Sequence, residues 1–127
     1  MDSARTMVSG FGRSQSSKAT WAARHNTLTN AAGQTIIKVN KSDINGPRNG
    51  IKQKTNAKGG IDRNYYGPDG RQTKQISNNG HGHKVEEALG LHGEHAHDYV
   101  TNEKGVLVHG KARELTDAER KENSDIL

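Results

Sequence analysis

Cysteine is absent from the 127 residues, which excludes disulfide bonds and thiolate zinc sites. Aromatic residues make up only 4% of the chain and apolar residues 29%, well below the apolar share of most globular proteins. A hydrophobic core that extends over the whole length is therefore not expected. No apolar run approaches the roughly 18 residues of a membrane span, and the first residues lack the apolar segment of a signal peptide. We expect a soluble protein without a membrane segment, exported, if at all, by another route.

Acidic residues are scarce in the first half of the chain. Residues 1–60 contain ten Lys and Arg against two Asp and Glu, whereas residues 61–127 contain nine against twelve. A basic, polar, Gly- and Ser-rich stretch before a mildly acidic one is typical of a flexible arm or linker that attracts nucleic acid. We therefore predict that residues 1–60 form a mostly flexible basic arm and that residues 61–127 form the folded, His-rich domain.

Two short elements are predicted within the basic arm. Trp21, His25 and Leu28 share one face of a short helix that would end by Gly33. The β-branched run at residues 34–40 predicts a strand. Residues 42–60 are rich in turn formers and predict a linker.

The folded domain is predicted to begin with a hairpin at residues 61–76. A Gly-Pro-Asp-Gly turn at residues 67–70 separates two strand-like runs. Pairing Tyr66 with Arg71 places Arg63 opposite Lys74. Two like charges across a ladder are mildly destabilising, and a bound anion such as phosphate would relieve the repulsion.

A second hairpin is predicted around the turn at residues 102–105. Pairing Thr101 with Val106 puts Asp98 opposite His109, so His95, His97 and Tyr99 would share one face while His109 lies on the other. The histidines would then not form one site on this hairpin alone.

Helical segments are predicted between the hairpins and at the end of the chain. Residues 84–91 have helical spacing closed by Gly90, and Thr116 with Glu119 forms a capping box. The predicted fold is α+β, with two β-hairpins in a small antiparallel sheet, a short helix between them, a C-terminal helix and a largely irregular N-terminal half.

Six of the seven histidines lie between residues 81 and 109, and such a cluster suggests metal binding or proton transfer because imidazole titrates near neutrality. The spacing of these side chains could supply three or four ligands to zinc or another divalent ion. If a metal is bound, the candidate ligands are His92, His95, His97 and Asp98, with His81 and His83 nearby.

A second interpretation requires no cofactor. Cleavage of RNA by attack of a ribose 2′-hydroxyl needs a base, an acid and a cation near the phosphoryl oxygens. Tyr99, on the predicted face of His95 and His97, could stack on a base. The candidates for proton transfer are His81, His83, His95, His97 and His109, and the candidate cations for binding or stabilising the substrate are Arg63, Lys74, Lys84, Lys111 and Arg113.

A third interpretation assigns the histidines no chemistry, since His, Asn and Gly also cluster in solvated turns. Asp98 and His109 would then be a cross-strand pair worth under about 1 kcal/mol.

Several strings within residues 61–127 resemble a C-terminal module of bacterial polymorphic toxins that also occurs at the ends of phage minor head proteins. These strings are RNYYGPDGRQTKQISNNGHGH, GLHGEHAHDYV and RELTDAERKENSDIL. The resemblance implies a compact α+β ribonuclease that acts in the cytoplasm of a target cell and is restrained by a cognate immunity protein. It selects His95, His97 and Tyr99 as the best site candidates, followed by His81, His83 and Arg113. The phage context implies instead a virion-associated attachment or assembly domain with phage or bacterial partners.

The sequence thus favours an endoribonuclease domain that acts on RNA by histidine acid-base catalysis without a cofactor. The alternatives are a metal-dependent nuclease and a non-enzymatic virion or interaction module.

Overall fold

The computed structural model describes residues 17–41, 43–56 and 59–127. These residues form one seven-stranded sheet in which every strand neighbours the next one in the sequence. All neighbours are antiparallel except β2 and β3, which are parallel. The elements in chain order are α1 (Lys18–Arg24), β1 (Thr27–Thr29), β2 (Thr35–Lys38), β3 (Ile51–Thr55), β4 (Ile61–Tyr66), β5 (Gln72–Ser77), α2 (Lys84–Glu87), β6 (His95–Thr101), β7 (Leu107–His109) and α3 (Asp117–Glu122).

The predicted α+β class is confirmed, together with both hairpins, the short helix between them and the C-terminal helix. The capping box is also present: Thr116 Oγ1 accepts from the Glu119 backbone N–H, and the Glu119 carboxylate accepts from the Thr116 backbone N–H. None of the helices in the described residues is both long and apolar enough to cross a membrane.

The described part of the first half of the chain contains more regular structure than its composition predicts. Residues 17–56, apart from the undescribed position 42, contain a helix and three strands. The predicted boundary at residue 60 does not separate two units, because β3 before it pairs with β4 after it. This corrects the expectation of a largely irregular N-terminal half and of a linker at residues 42–60. Burial of Ile36, Ile37 and Ile51 accounts for part of the difference, because each buried isoleucine stabilises these short strands by about 1.5–3 kcal/mol. The first sixteen residues of the predicted arm lie outside the described residues.

The predicted first helix is shorter than expected. It begins after the N-cap Ser17, whose Oγ accepts from the Thr20 backbone N–H, and ends at Arg24. Leu28 lies in β1 instead.

Helix α3 and the residues after it cover one face of the sheet, which we call the helix face. A small apolar cluster of Ile76, Ala96 and Leu115 lies there, with Tyr65 packed against it. Charged side chains supply much of the remaining packing, since Arg63 on β4 is completely buried beside Asn123. The small core predicted from composition is therefore supplemented by ion pairs.

The opposite face of the sheet, which we call the histidine face, is polar although much of it is buried. Asn64 and Ser77 have no exposed surface, and Asp62 is nearly as inaccessible. Buried polar side chains at such density require partners, and Ser77 Oγ donates to Asp62 Oδ1 at 2.7 Å. The continuation of this face over β6 and β7 carries His95, His97, Tyr99 and His109.

The register of the first hairpin corrects the predicted one. Arg63 pairs with Ile76, and a bulge between Tyr65 and Tyr66 shifts the strand by one residue. Arg63 and Lys74 are therefore not opposite each other, and the proposed anion between them is not needed.

The second hairpin also differs by one residue, and this difference decides the composition of the histidine face. Tyr99 pairs with His109, and Thr101 with Leu107. The Asn102 side chain accepts from the backbone N–H groups of Lys104 and Val106, which makes the loop one residue longer than predicted. Since a shift of one residue exchanges the two faces of a strand, His109 joins Tyr99 instead of Asp98.

Candidate functional site

Four imidazoles form a continuous row on the histidine face. The ring centroids of His81 and His95 are 5.4 Å apart, those of His95 and His97 5.0 Å, and those of His97 and His109 4.2 Å. Tyr99 lies beside the last member, 4.9 Å from the ring of His109. We call these five side chains the histidine row. The structure therefore brings together side chains from β6, β7 and the loop before α2.

His95 is the buried centre of the row, with no exposed surface. Its Nδ1 lies 2.8 Å from the carbonyl oxygen of Gly93. A carbonyl only accepts hydrogen bonds, so Nδ1 carries the hydrogen and the neutral ring presents a lone pair at Nε2. That Nε2 atom is buried and has no hydrogen-bond partner. Burial also lowers the pKa of His95, with the nearby His97 and His81 acting in the same direction.

His97 is held in the same way. Its Nδ1 donates to the carbonyl oxygen of Gly110 at 2.8 Å, which leaves the Nε2 lone pair available. Position 110 must be glycine because a Cβ there would lie 2.8 Å from the carbonyl oxygen of Asp98. The backbone thus fixes the tautomer and the ring orientation of both central histidines.

Glu86 of α2 approaches these two histidines. A carboxylate oxygen of Glu86 and one ring nitrogen each of His95 and His97 all lie within 4.8 Å of one another. The three residues come from two elements: Glu86 lies on the short helix α2, and the two histidines lie on the same face of β6. Two imidazoles and one carboxylate are a donor set that binds divalent transition-metal ions.

His81 closes one end of the row. Its backbone lies in the left-handed region at φ 58°, and the Asn79 side chain accepts from its backbone N–H at 2.9 Å. His81 Nε2 is 3.4 Å from Asp62 Oδ1, and its side chain is 25% exposed. An imidazolium at this position would be paired with the Asp62 carboxylate.

His109 and Tyr99 close the other end, where the row reaches solvent. His109 is exposed, whereas Tyr99 is half-buried. Partial desolvation and the nearby His97 lower the pKa of His109, while desolvation raises the pKa of Tyr99.

Three predicted cationic site residues lie on the helix face, away from the row. Arg63 is buried and paired with Asp125 at 2.6 Å. Lys74 is paired with Glu119 at 2.9 Å. Arg113 contacts both Glu119 at 2.9 Å and Asp98 at 2.7 Å. All three are therefore engaged in holding α3 and the chain end against the sheet.

These ion pairs have a marked effect on the carboxylates. Arg113, the Thr116 backbone N–H and Lys74 together lower the pKa of Glu119 to about 2 despite its burial. Hydrogen bonds from Arg113 likewise lower the pKa of Asp98. With its two oxygens bound by Arg113, Asp98 is not placed to serve as the metal ligand proposed from the sequence.

The remaining predicted residues are exposed and lie outside the row. His83 is the N-cap of α2 and makes no capping hydrogen bond with its side chain, and Lys84 is the first residue of that helix. His92 is exposed in the loop before β6, and Lys111 is exposed after Gly110. The metal set predicted from the sequence is thus altered: His95 and His97 remain, and Glu86 takes the place of His92 and Asp98.

Sequence analysis missed Glu86 and Asp62. Glu86 has the appearance of an ordinary helix carboxylate, and Asp62 precedes an arginine in a strand. The only available signal was alternation, which puts Asp62 and Asn64 on one side of β4. Neither pattern indicates which loop or helix packs over that side.

A basic cleft lies farther along the sheet. It has a volume of about 1130 Å³, and its lining includes four cations with Asp43. The rings of Trp21 and His25 stack at 5.2 Å within it, and Lys52 Nζ lies 5.0 Å from the ring centroids of both Trp21 and Tyr66. Burial lowers the pKa of Lys52. The cations lining the cleft are Arg24, Lys38, Lys41 and Lys52.

Strand pairing connects the cleft to the histidine row. Lys52, Asn64, Gln75 and His97 are successive cross-strand partners on β3, β4, β5 and β6. With neighbouring strands about 4.8 Å apart, Lys52 and His97 are separated by roughly 14 Å across the sheet. Lys52 and Asn64 are buried on this path, so the strand pairing defines the distance between the two features and does not by itself form an exposed groove.

No protein-family model matches the chain, and no curated protein or solved structure matches it either.

Proposed function

We propose that this chain is a toxin-type endoribonuclease whose active site is the histidine row. The observation that carries the proposal is the contiguity of four imidazoles and a tyrosine on one sheet face, with His81 and His109 at the accessible ends. Acid-base cleavage of RNA needs two groups that exchange protons near neutral pH on opposite sides of a phosphate. We place the phosphate against the row between His81 and His109, and cleavage requires both ends of the row to close to hydrogen-bond distance of its reacting oxygens.

The reaction assigned to the row is a transesterification. The 2′-oxygen of the substrate ribose attacks the adjacent phosphorus while His109 takes the 2′-hydroxyl proton. The bond between phosphorus and the 5′-oxygen breaks, and His81, as an imidazolium facing Asp62, donates a proton to that oxygen. The products are a 2′,3′-cyclic phosphate and a free 5′-hydroxyl. His95 has no exposed surface, so it does not touch substrate and instead positions the row.

The basic cleft supports a nucleic-acid substrate. Cationic side chains interleaved with aromatic rings are typical of surfaces that bind single strands by phosphate contact and base stacking. Trp21 and His25 provide the rings. The exposed Arg24, Lys38 and Lys41 provide the cations.

The test compares the purified full chain with His109→Ala on total RNA and on plasmid DNA. We expect cleavage of RNA alone, cyclic phosphate ends, and a rate at least about 100-fold lower in the variant, since a positioned base contributes about that factor or more. Val108→Ala is the matched control, because Val108 is exposed on the same strand and points to the opposite face.

An unchanged rate in His109→Ala would remove His109 from the reaction. Absence of RNA cleavage by the natural sequence would overturn the proposed function itself.

A further inference from the structure

We propose that Glu86, His95 and His97 bind one divalent transition-metal ion, with zinc as the first candidate. The ion would lie at the centre of the histidine row. The proposal goes beyond nuclease activity and is tested by metal binding alone.

The orientation of the two imidazoles is the first argument. Metal-bound histidines usually donate their other ring N–H to a carbonyl or carboxylate, which fixes the tautomer and the direction of the ring. Both His95 and His97 have this arrangement, through the carbonyl oxygens of Gly93 and Gly110. Each ring therefore presents an unprotonated Nε2, the form in which imidazole binds a metal.

The buried Nε2 atom of His95 is the second argument. It has no hydrogen-bond partner and no exposed surface. An unsatisfied buried polar atom costs on the order of 1–3 kcal/mol. An ion bound to the three residues would satisfy this atom.

The carboxylate of Glu86 is the third argument. It lies within 4.8 Å of the ring nitrogens of His95 and His97. If the proposed function holds, a substrate phosphate over these rings would face a second anion, and the two would repel each other. A divalent cation removes the repulsion and also supplies positive charge next to the phosphoryl oxygens. The cations predicted from the sequence for this role, Arg63, Lys74 and Arg113, are on the helix face in ion pairs.

The donor set also predicts the kind of site. Three protein ligands leave at least one coordination position open, as in catalytic zinc sites with two histidines and one glutamate. Tetrahedral zinc ligands at about 2.0–2.2 Å are separated by about 3.4 Å from one another. The present separations of up to 4.8 Å require a small inward movement, which the flexible Glu86 side chain on a one-turn helix can provide.

The experiment measures binding of Zn²⁺ and Co²⁺ to the metal-free, untagged full chain by titration calorimetry and by the visible absorption of Co²⁺. We expect one site per chain and a cobalt spectrum of low coordination number. Glu86→Gln should weaken binding at least about 10-fold. Mutation of a residue that only hydrogen-bonds a metal ligand already reduces metal affinity by about this factor. Because Glu86 is half-buried on a short helix, this variant retains the fold, whereas His95→Ala removes a buried ring.

Two controls distinguish this site from adventitious binding by surface residues. Glu87→Gln makes the same change at the next position of α2, and His92→Gln removes an exposed histidine of the following loop. Both should bind one ion as tightly as the natural sequence. No saturable binding, or equal affinity in Glu86→Gln and Glu87→Gln, would overturn the proposal. If the metal binds but RNA is not cleaved, the proposed function fails while the site stands.

Discussion

At the residue scale, the buried carboxylate of Glu94 holds the loop that precedes His95 in place. Its carboxylate accepts from the backbone N–H groups of Leu91 and His92 and pairs with Arg120 at 2.8 Å. Although burial acts in the opposite direction, these hydrogen bonds lower the pKa of Glu94 to about 2. The carboxylate thus fixes the loop that leads directly into His95.

This pKa predicts a stability that depends on pH. A carboxyl group whose folded pKa is depressed stabilises the protein above its ordinary value near 4.5, and the stability is lost as pH falls from there toward about 2. We expect Glu94→Gln to lower the free energy of unfolding by about 2–3 kcal/mol at pH 7 and by much less at pH 2. Urea denaturation at both pH values measures this difference.

Glu103→Gln serves as the control for this measurement, because Glu103 is exposed in the turn between β6 and β7. It should leave the free energy of unfolding unchanged at both pH values. A constant deficit for Glu94→Gln from pH 7 to pH 2 would contradict the assigned ionisation.

At the element scale, the hairpin of β6 and β7 determines whether His109 belongs to the site. The loop keeps its register through the Asn102 side chain and through Gly105, whose φ is 78°. This left-handed conformation is unfavourable for a residue with a Cβ. Nothing lies within 4 Å of the position that a Cβ would occupy, so the cost of a substitution there is conformational alone.

Gly105→Ala should therefore destabilise the protein by about 1 kcal/mol, the usual penalty for a left-handed non-glycine residue. The melting temperature in thermal unfolding measures this loss of stability, and Lys104→Ala at the neighbouring exposed position provides the control. Equal melting temperatures for the two variants would show that the loop relaxes to another turn without cost.

At the scale of the whole molecule, ion pairs connect the end of the chain to the middle of the sheet. Arg63 donates from Nη1 and Nη2 to the two carboxylate oxygens of Asp125 and from Nε to Gln53. Arg63 has no exposed surface, and the guanidinium lowers the pKa of Asp125. A protein with so few apolar residues thus closes its helix face partly with charge.

Removing the Asp125 carboxylate should lower the free energy of unfolding by more than the ion pair itself contributes. The Arg63 guanidinium would then remain buried without a carboxylate to balance its charge. We expect Asp125→Ala to lower the free energy of unfolding by about 3 kcal/mol. Ser124→Ala, at the preceding exposed position, should have no measurable effect in the same denaturation experiment. Similar stability in the two variants would show that water replaces Asp125 around Arg63.

Local patterns in the sequence determined several parts of this structure. The hairpin turns, the capping box of Thr116 and Glu119, the short helix after His83 and the strand at Ile36 and Ile37 follow from turn chemistry, capping and β-branched side chains. The same local signals identified His95, His97 and Tyr99 as neighbours on one strand face. Each of these features depends on residues within a few positions of one another.

Tertiary structure alone decided the register of the two hairpins and which residues contact the histidines. A bulge after Tyr65 and one additional loop residue before Leu107 moved Arg63 away from Lys74 and brought His109 to Tyr99. Packing of α2 brought Glu86 to the histidines, and pairing with β4 incorporated β3 into the sheet. These outcomes depend on contacts between distant segments, whose free energies are summed over the whole fold and leave no local pattern in the sequence.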